Sequence, residues 1–147
     1  MDALDLRIRN HVYSTFVGDG RAQTTAETAA ALRLAEGEVA AAYRRLHDAH
    51  ALVLHPGTDE IRMLNPFSAV ETPHRVEAGG RSWFANCAWD AFGILAAFDV
   101  DGHITSSCLD CGEPIEIDVV DRRPEPADDV FHVLVPARSW WDDIVFT

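Results

Sequence analysis

Apolar residues recur at helical spacing through the first third of the chain, at Leu4, Ile8, Val12 and Phe16. That pattern predicts one buried helical face over residues 2–17, halted by Gly18-Asp19-Gly20. Thr24 with Glu27 three residues later has the form of a capping box and predicts a second, short helix to Leu32. After the turn at Ala35-Glu36-Gly37, Val39, Ala42 and Leu46 predict a third helix over Glu38 to Ala49. The period then shortens: Leu52-Val53-Leu54 and Ile61-Arg62-Met63-Leu64 read as two strands around Pro56-Gly57-Thr58-Asp59. Three helices and a hairpin predict a winged-helix-like unit over residues 1–65.

Residues 66–80 read as a linker, with a short strand at Val76-Glu77 and a turn at Gly79-Gly80-Arg81. The run from Trp83 to Phe98 is almost continuously apolar and predicts a buried helix. Asp99 to His103 carries a hairpin signal. Ile104 to Cys108, Ile115 to Val119, Phe131 to Pro136 and the end from Trp140 to Thr147 read as strands, with a polar loop from Arg122 to Asp129. The fold class is α+β: the N-terminal unit, then a small mixed or antiparallel sheet domain over 81–147 carrying the Trp83–Phe98 helix.

Composition narrows this picture. A hydrophobic content of 48% in 147 residues supports a folded core, and no apolar run reaches the ~18 residues of a membrane span. The expectation is a cytoplasmic protein without a signal peptide, a monomer or a homodimer. All 12 basic residues are arginine, which with the abundant alanine suggests a GC-rich bacterial source. Residues 1–75 carry eight arginines against ten acidic residues, and residues 76–147 four against fourteen. So acidic a second half is a poor partner for phosphates. The third helix offers only Arg44, Arg45, His47 and His50 to a nucleic acid, which argues against DNA binding and for a structural role.

Three cysteines suit reduced thiols better than a disulfide scaffold. Cys87 and Asp90 stand three apart in the apolar run, a spacing that puts them on one helix face. They read either as a core cysteine beside a capping or ion-paired aspartate, or as a thiol that holds a soft metal beside a proton-delivering acid. Cys108-x-x-Cys111-Gly112 has the shape of a zinc knuckle or a redox dithiol, or of a plain turn. As a zinc site it would need Cys87 and His103 or His132 to complete the ligands. Asp128-Asp129 and Asp142-Asp143 read as solvated loop charges, with a cation site at the latter pair as the other reading.

Taken together, Cys87-Ala88-Trp89-Asp90, the following Ser106-Ser107-Cys108 and Gly112-Glu113-Pro114, and the helical N-terminal unit resemble the alkylmercury (organomercurial) lyase family. The resemblance runs from the N-terminal helices to the last residue. It implies that Cys87 is a catalytic cysteine, Asp90 the catalytic aspartate, and Cys108 a cysteine supporting the fold around the site. Cys111 falls where some members have threonine, so no catalytic role passes to it. The family's second catalytic cysteine follows a segment like Asp142 to Thr147, and the expectation is that this sequence lacks it, as a shortened product or through loss of the residue. The implied activity is protonolysis of carbon–mercury bonds, without a bound cofactor, with organomercurials as substrate and cellular thiols as partners. The alternative is a soft-metal-binding module, holding mercury, copper or zinc through Cys87, Cys108 and Cys111, or a metal-responsive winged-helix regulator. A third is a relative that turns Cys87 on another substrate as a nucleophile.

Overall fold

The structure is a computed structural model and describes residues 1–125 and 130–145. Three helices come first: α1 (Ala3–Asp19), α2 (Thr25–Leu32) and α3 (Glu36–Asp48). Their starts follow local chemistry. Asp2 and Asp5 form a capping box on α1, and Thr24 and Glu27 form one on α2. Gly20, in the left-handed conformation at φ 70°, closes α1 by donating its N–H to the Phe16 carbonyl. The buried face of α1 is Ile8, Val12 and Phe16, and that of α3 is Val39, Ala42, Tyr43 and Leu46.

The eight strands among the described residues belong to one antiparallel sheet. They are β1 (Val53–Leu54), β2 (Ile61–Leu64), β3 (Phe67–Ser68), β4 (Arg75–Ala78), β5 (Arg81–Ala85), β6 (Gly102–Ser107), β7 (Pro114–Val120) and β8 (Arg123–Glu125). In space they run β1-β2-β3-β5-β4-β6-β7-β8. Helix α4 (Ala88–Phe98) packs on β4, β5 and β6. The architecture is thus mixed α+β, helices followed by an antiparallel sheet.

Several expectations are corrected here. The Trp83–Phe98 run is not one helix. Gly79 and Gly80, both at positive φ, close a tight β4–β5 hairpin, and Trp83 and Ala85 point inward while Ser82 and Phe84 do not. That period of two outweighs the apolar content, and the helix starts only at Ala88. The stretch expected as a linker, 66–80, carries β3 and β4, and β3 ties the β1–β2 hairpin to β5. Asp99 to His103 is no hairpin: Asp99, at φ 56°, ends α4, and the chain enters β6, which pairs with β4. The hairpin lies instead between β6 and β7.

Phe131 to Pro136 forms no strand, and among the described residues none pairs with it; Val130 and Leu134 are exposed. Trp140 to Asp142, expected to begin a strand running to Thr147, instead end a 3-10 helix, Ala137–Asp142. The loop from Arg122 opens with β8, joined to β7 through Asp121 and Arg122 at positive φ. Its end, with Asp128-Asp129, lies outside the described residues, as do Phe146 and Thr147.

An aromatic cluster fastens the helices to the sheet. Phe67 of β3 meets Phe16 of α1 at 5.4 Å between centroids, Trp83 of β5 at 6.2 Å and Phe98 of α4 at 5.9 Å. The Trp83 indole donates to the Val17 carbonyl at 3.2 Å, so its polar edge is satisfied at the same seam. Between the helices, buried Asp5 receives the Arg45 guanidinium at 2.6 Å, which holds its carboxyl below the usual range. Arg44 grips Asp59 through a bond of 2.6 Å from Nε. Both arginines that could have faced a nucleic acid are therefore engaged by carboxylates of the same chain.

Candidate active site

Cys87 is the N-cap of α4 rather than a residue inside it. Its backbone is extended (φ −149°, ψ 176°), and its carbonyl accepts the Ala91 N–H at 3.1 Å. Asp90 is the third residue of the helix, so thiol and carboxyl meet at the helix mouth, in N-cap and N3 positions, not along a helix face as the spacing suggests. The sulfur makes no side-chain cap, but the N–H groups of Asp90 and Trp89 and the Asp90 carboxyl all bear on its acidity.

Both groups are half-buried, and burial governs their acidity. It pushes the Cys87 thiol up, aided by the negative charge of Asp90; the two backbone N–H groups oppose it. Burial also pushes the Asp90 carboxyl up, against hydrogen bonds from Asn86 and Cys87 that favour the ionised form. The resting pair therefore favours a protonated thiol and a carboxyl that takes up a proton more readily than an exposed aspartate.

The carboxyl is held by a residue that the motif itself does not single out. Asn86 Nδ2 donates to Asp90 Oδ2 at 3.0 Å and to Asn65 Oδ1 at 3.1 Å. Its own Oδ1 is buried without a partner. The Asn65 carbonyl accepts from the Tyr13 hydroxyl at 3.2 Å, and Tyr13 also reaches the Ala51 carbonyl at 3.1 Å. Asp90 is thereby connected through two amides to α1. The available signal is Asn86 itself, a polar side chain beside Cys87 in an otherwise apolar run; nothing local marks Asn65 or Tyr13. Nearby in the sheet, His74 Nδ1 and Ser106 Oγ pair at 2.8 Å, both buried, and burial pushes the imidazole toward its neutral form.

Cys108 and Cys111 lie in the β6–β7 turn. Cys108 N–H donates to the Glu113 carbonyl and Gly112 N–H to the Cys108 carbonyl, each at 2.8 Å, with Gly112 at φ 75°. The backbone N–H groups of Cys111 and Asp110, with the Cys111 thiol, lower the Cys108 pKa and make it more acidic than a free thiol. This turn follows the end of β6, and Cys87 follows the end of β5; both lie at the same end of the sheet. One strand, β4, runs between them, a lateral offset of ~10 Å.

Cys87, Cys108 and Cys111 do not form a three-donor site. Among the described residues no three His, Cys, Asp or Glu side chains are grouped to hold one ion. The four-ligand zinc arrangement fails for the same reason. His103 stands at the far end of β6, roughly 17 Å along the strand from Cys108. There it is engaged by Asp118 at 2.7 Å and Glu116 at 2.6 Å. His132 belongs to the exposed segment after residue 130.

A half-buried thiol with an acid at its side, at the mouth of a helix laid on an antiparallel sheet, is equipped to bind a soft electrophile and deliver a proton. The alkylmercury lyase (MerB) family model matches residues 67–147, more than half of the chain, and the chain belongs to that family. Among solved structures, the mercury-bound form of MerB2 is similar with a TM-score of 0.64 and 23% identity. The similarity covers 86% of this chain but 62% of that one, and at this identity it establishes a shared fold. No curated protein matches.

Proposed function

We propose that this chain carries the protonolysis site of an organomercurial lyase, with Cys87 as the mercury-binding thiolate and Asp90 as the proton carrier. The observation that supports this best is the half-buried pairing of Cys87 at the N-cap with Asp90 at N3 of the same helix, within the segment matched to the family. Asp90 first accepts the thiol proton. The thiolate of Cys87 then displaces the thiol ligand of R–Hg–SR′, forming a sulfur–mercury bond and releasing R′S⁻. A second thiolate from solution adds to mercury and weakens the carbon–mercury bond. Asp90 returns its proton to the departing carbon, giving R–H and Hg(II) on Cys87. Cellular thiols remove the metal, and no resident cofactor enters these steps.

The raised affinity of Asp90 for a proton suits this cycle, because an ordinary exposed aspartate would hold almost none at neutral pH. In this reading α1–α3 with the β1–β2 hairpin form a winged-helix-like unit in a structural role, supported by the pairing of Arg44 and Arg45 with Asp59 and Asp5. The test is benzene release from phenylmercury in excess thiol by the chain and its Cys87→Ser and Asp90→Ala variants. Release by the chain alone supports the assignment. Release that persists in either variant removes that residue from the reaction, and no release by the unaltered chain overturns the activity.

A further inference from the structure

The mechanism leaves one thiol pair unused. Cys108 and Cys111 occupy a turn closed by two backbone hydrogen bonds of 2.8 Å, with Gly112 in the left-handed conformation that lets the chain leave the turn. The Gly112 N–H to Cys108 carbonyl bond folds the chain back on itself, so residues 108 and 111 belong to one tight turn. Cys111 is exposed and Leu109 projects 81% into solvent, so the turn is open to an incoming ligand. A packing role would call for a buried pair, and this one is not.

We propose that Cys108 and Cys111 form a second, independent site that chelates one mercury(II) ion between two thiolates. The donor count selects the metal. Structural zinc takes four ligands, and no third donor is grouped with these among the described residues. Mercury(II) is satisfied by two thiolates in near-linear array. With bonds of ~2.3 Å, as for other thiolate–metal contacts, the sulfurs need to stand only ~4.6 Å apart.

The position of the turn, at the same end of the sheet as Cys87, gives the site a role: acceptor for the product ion. This role, unlike the binding itself, rests on the lyase reading. The transfer is ligand exchange without redox. Mercury's bonds to Cys87 and to one solution thiolate break, its bonds to Cys108 and Cys111 form, and the two protons lost by these thiols pass to the departing thiolates.

The test uses inorganic mercury(II) and the full chain carrying Cys87→Ser, so it does not depend on carbon–mercury cleavage. One mercury per chain should be retained, with thiolate-to-mercury charge-transfer absorption, against 2-mercaptoethanol. Adding Cys111→Ser should lower the 2-mercaptoethanol concentration that strips half of the metal by about 100-fold, the scale of a lost chelate arm. Zinc(II) in excess should not displace the mercury. A measurement on the Cys87→Ser chain itself guards against a folding failure in the double variant: one mercury should shield both Cys108 and Cys111 from alkylation, read by peptide mass. Failure of Cys87→Ser to retain mercury, equal retention after Cys111→Ser, displacement by zinc, or shielding of fewer than both thiols would each overturn the proposal. Benzene release by the unaltered chain is scored separately, so failure of the lyase reading is distinguishable from failure of this one.

Discussion

Replacing Asn86 with alanine separates the positioning of Asp90 from the stability of the fold. The carboxamide donates to Asp90 Oδ2 at 3.0 Å and to Asn65 Oδ1 at 3.1 Å. A hydrogen bond to an ionised group contributes ~1.5–3 kcal/mol and a neutral one ~0.5–1.5 kcal/mol. Against that loss stands the unpartnered Asn86 Oδ1, whose burial already costs about 1–3 kcal/mol and is relieved by the substitution. The two losses total ~2–4.5 kcal/mol, so the net destabilisation centres on ~1 kcal/mol and does not exceed ~3.5 kcal/mol, a fall in Tm of at most roughly 14 °C for a chain of this size. Catalysis has no such offset. A carboxyl free to turn away from Cys87 forfeits ~1.5–3 kcal/mol of positioning, which slows benzene release roughly 10- to 150-fold. The Asn86 bond favours the ionised carboxyl, so its loss raises the Asp90 pKa further and moves the alkaline fall of the rate to higher pH. Single-turnover release from phenylmercury, measured across pH beside thermal unfolding, reads both effects. An unchanged rate and pH profile in a folded Asn86→Ala chain would refute the reasoning.

Gly102→Ala should destabilise the sheet by ~1–3 kcal/mol, seen as a lower Tm, because the new Cβ would lie 2.6 Å from the Glu77 carbonyl oxygen and 2.6 Å from Leu95 Cδ2. A Tm within 1–2 °C of the parent, on a scale of a few degrees per kcal/mol, would show that β4 and β6 are not held so closely. His103 lies between Asp118 and Glu116, which raise its pKa above the ordinary 6.5. A raised folded-state value means stability that is complete below pH 6.5 and lost as pH climbs through the folded value. Thermal unfolding should show that decline in the parent and a flatter profile in His103→Gln; equal slopes would remove the histidine from the balance.

The sequence is readable where one period dominates. The capping box at Thr24 and Glu27 and the stripe Ile8, Val12, Phe16 locate α1 and α2 because local chemistry and burial agree. It misleads at the start of the apolar run, where Trp83 and Ala85 satisfy a strand and a helix equally. The glycine pair that decides the matter, Gly79 and Gly80, lies just upstream. Phe131 to Pro136 has the composition of a strand, but a strand needs a partner edge, and that is a property of the whole sheet. For the site, Cys87 and Asp90 are visible from their types and spacing. Asn65 and Tyr13 are not, since their contribution depends on α1 and the end of β2 being folded against α4.

Placing Cys87 at the helix mouth, partly shielded from water, has a protective side. A thiol kept protonated at rest reacts slowly with peroxides and alkylating agents, which consume the thiolate. Capture by mercury replaces the sulfur's proton with a soft cation, so the burial that suppresses the free anion does not oppose the metal-bound form. The same half-buried setting therefore discriminates among electrophiles: it rejects those that need a standing thiolate and admits the one able to drive the proton off.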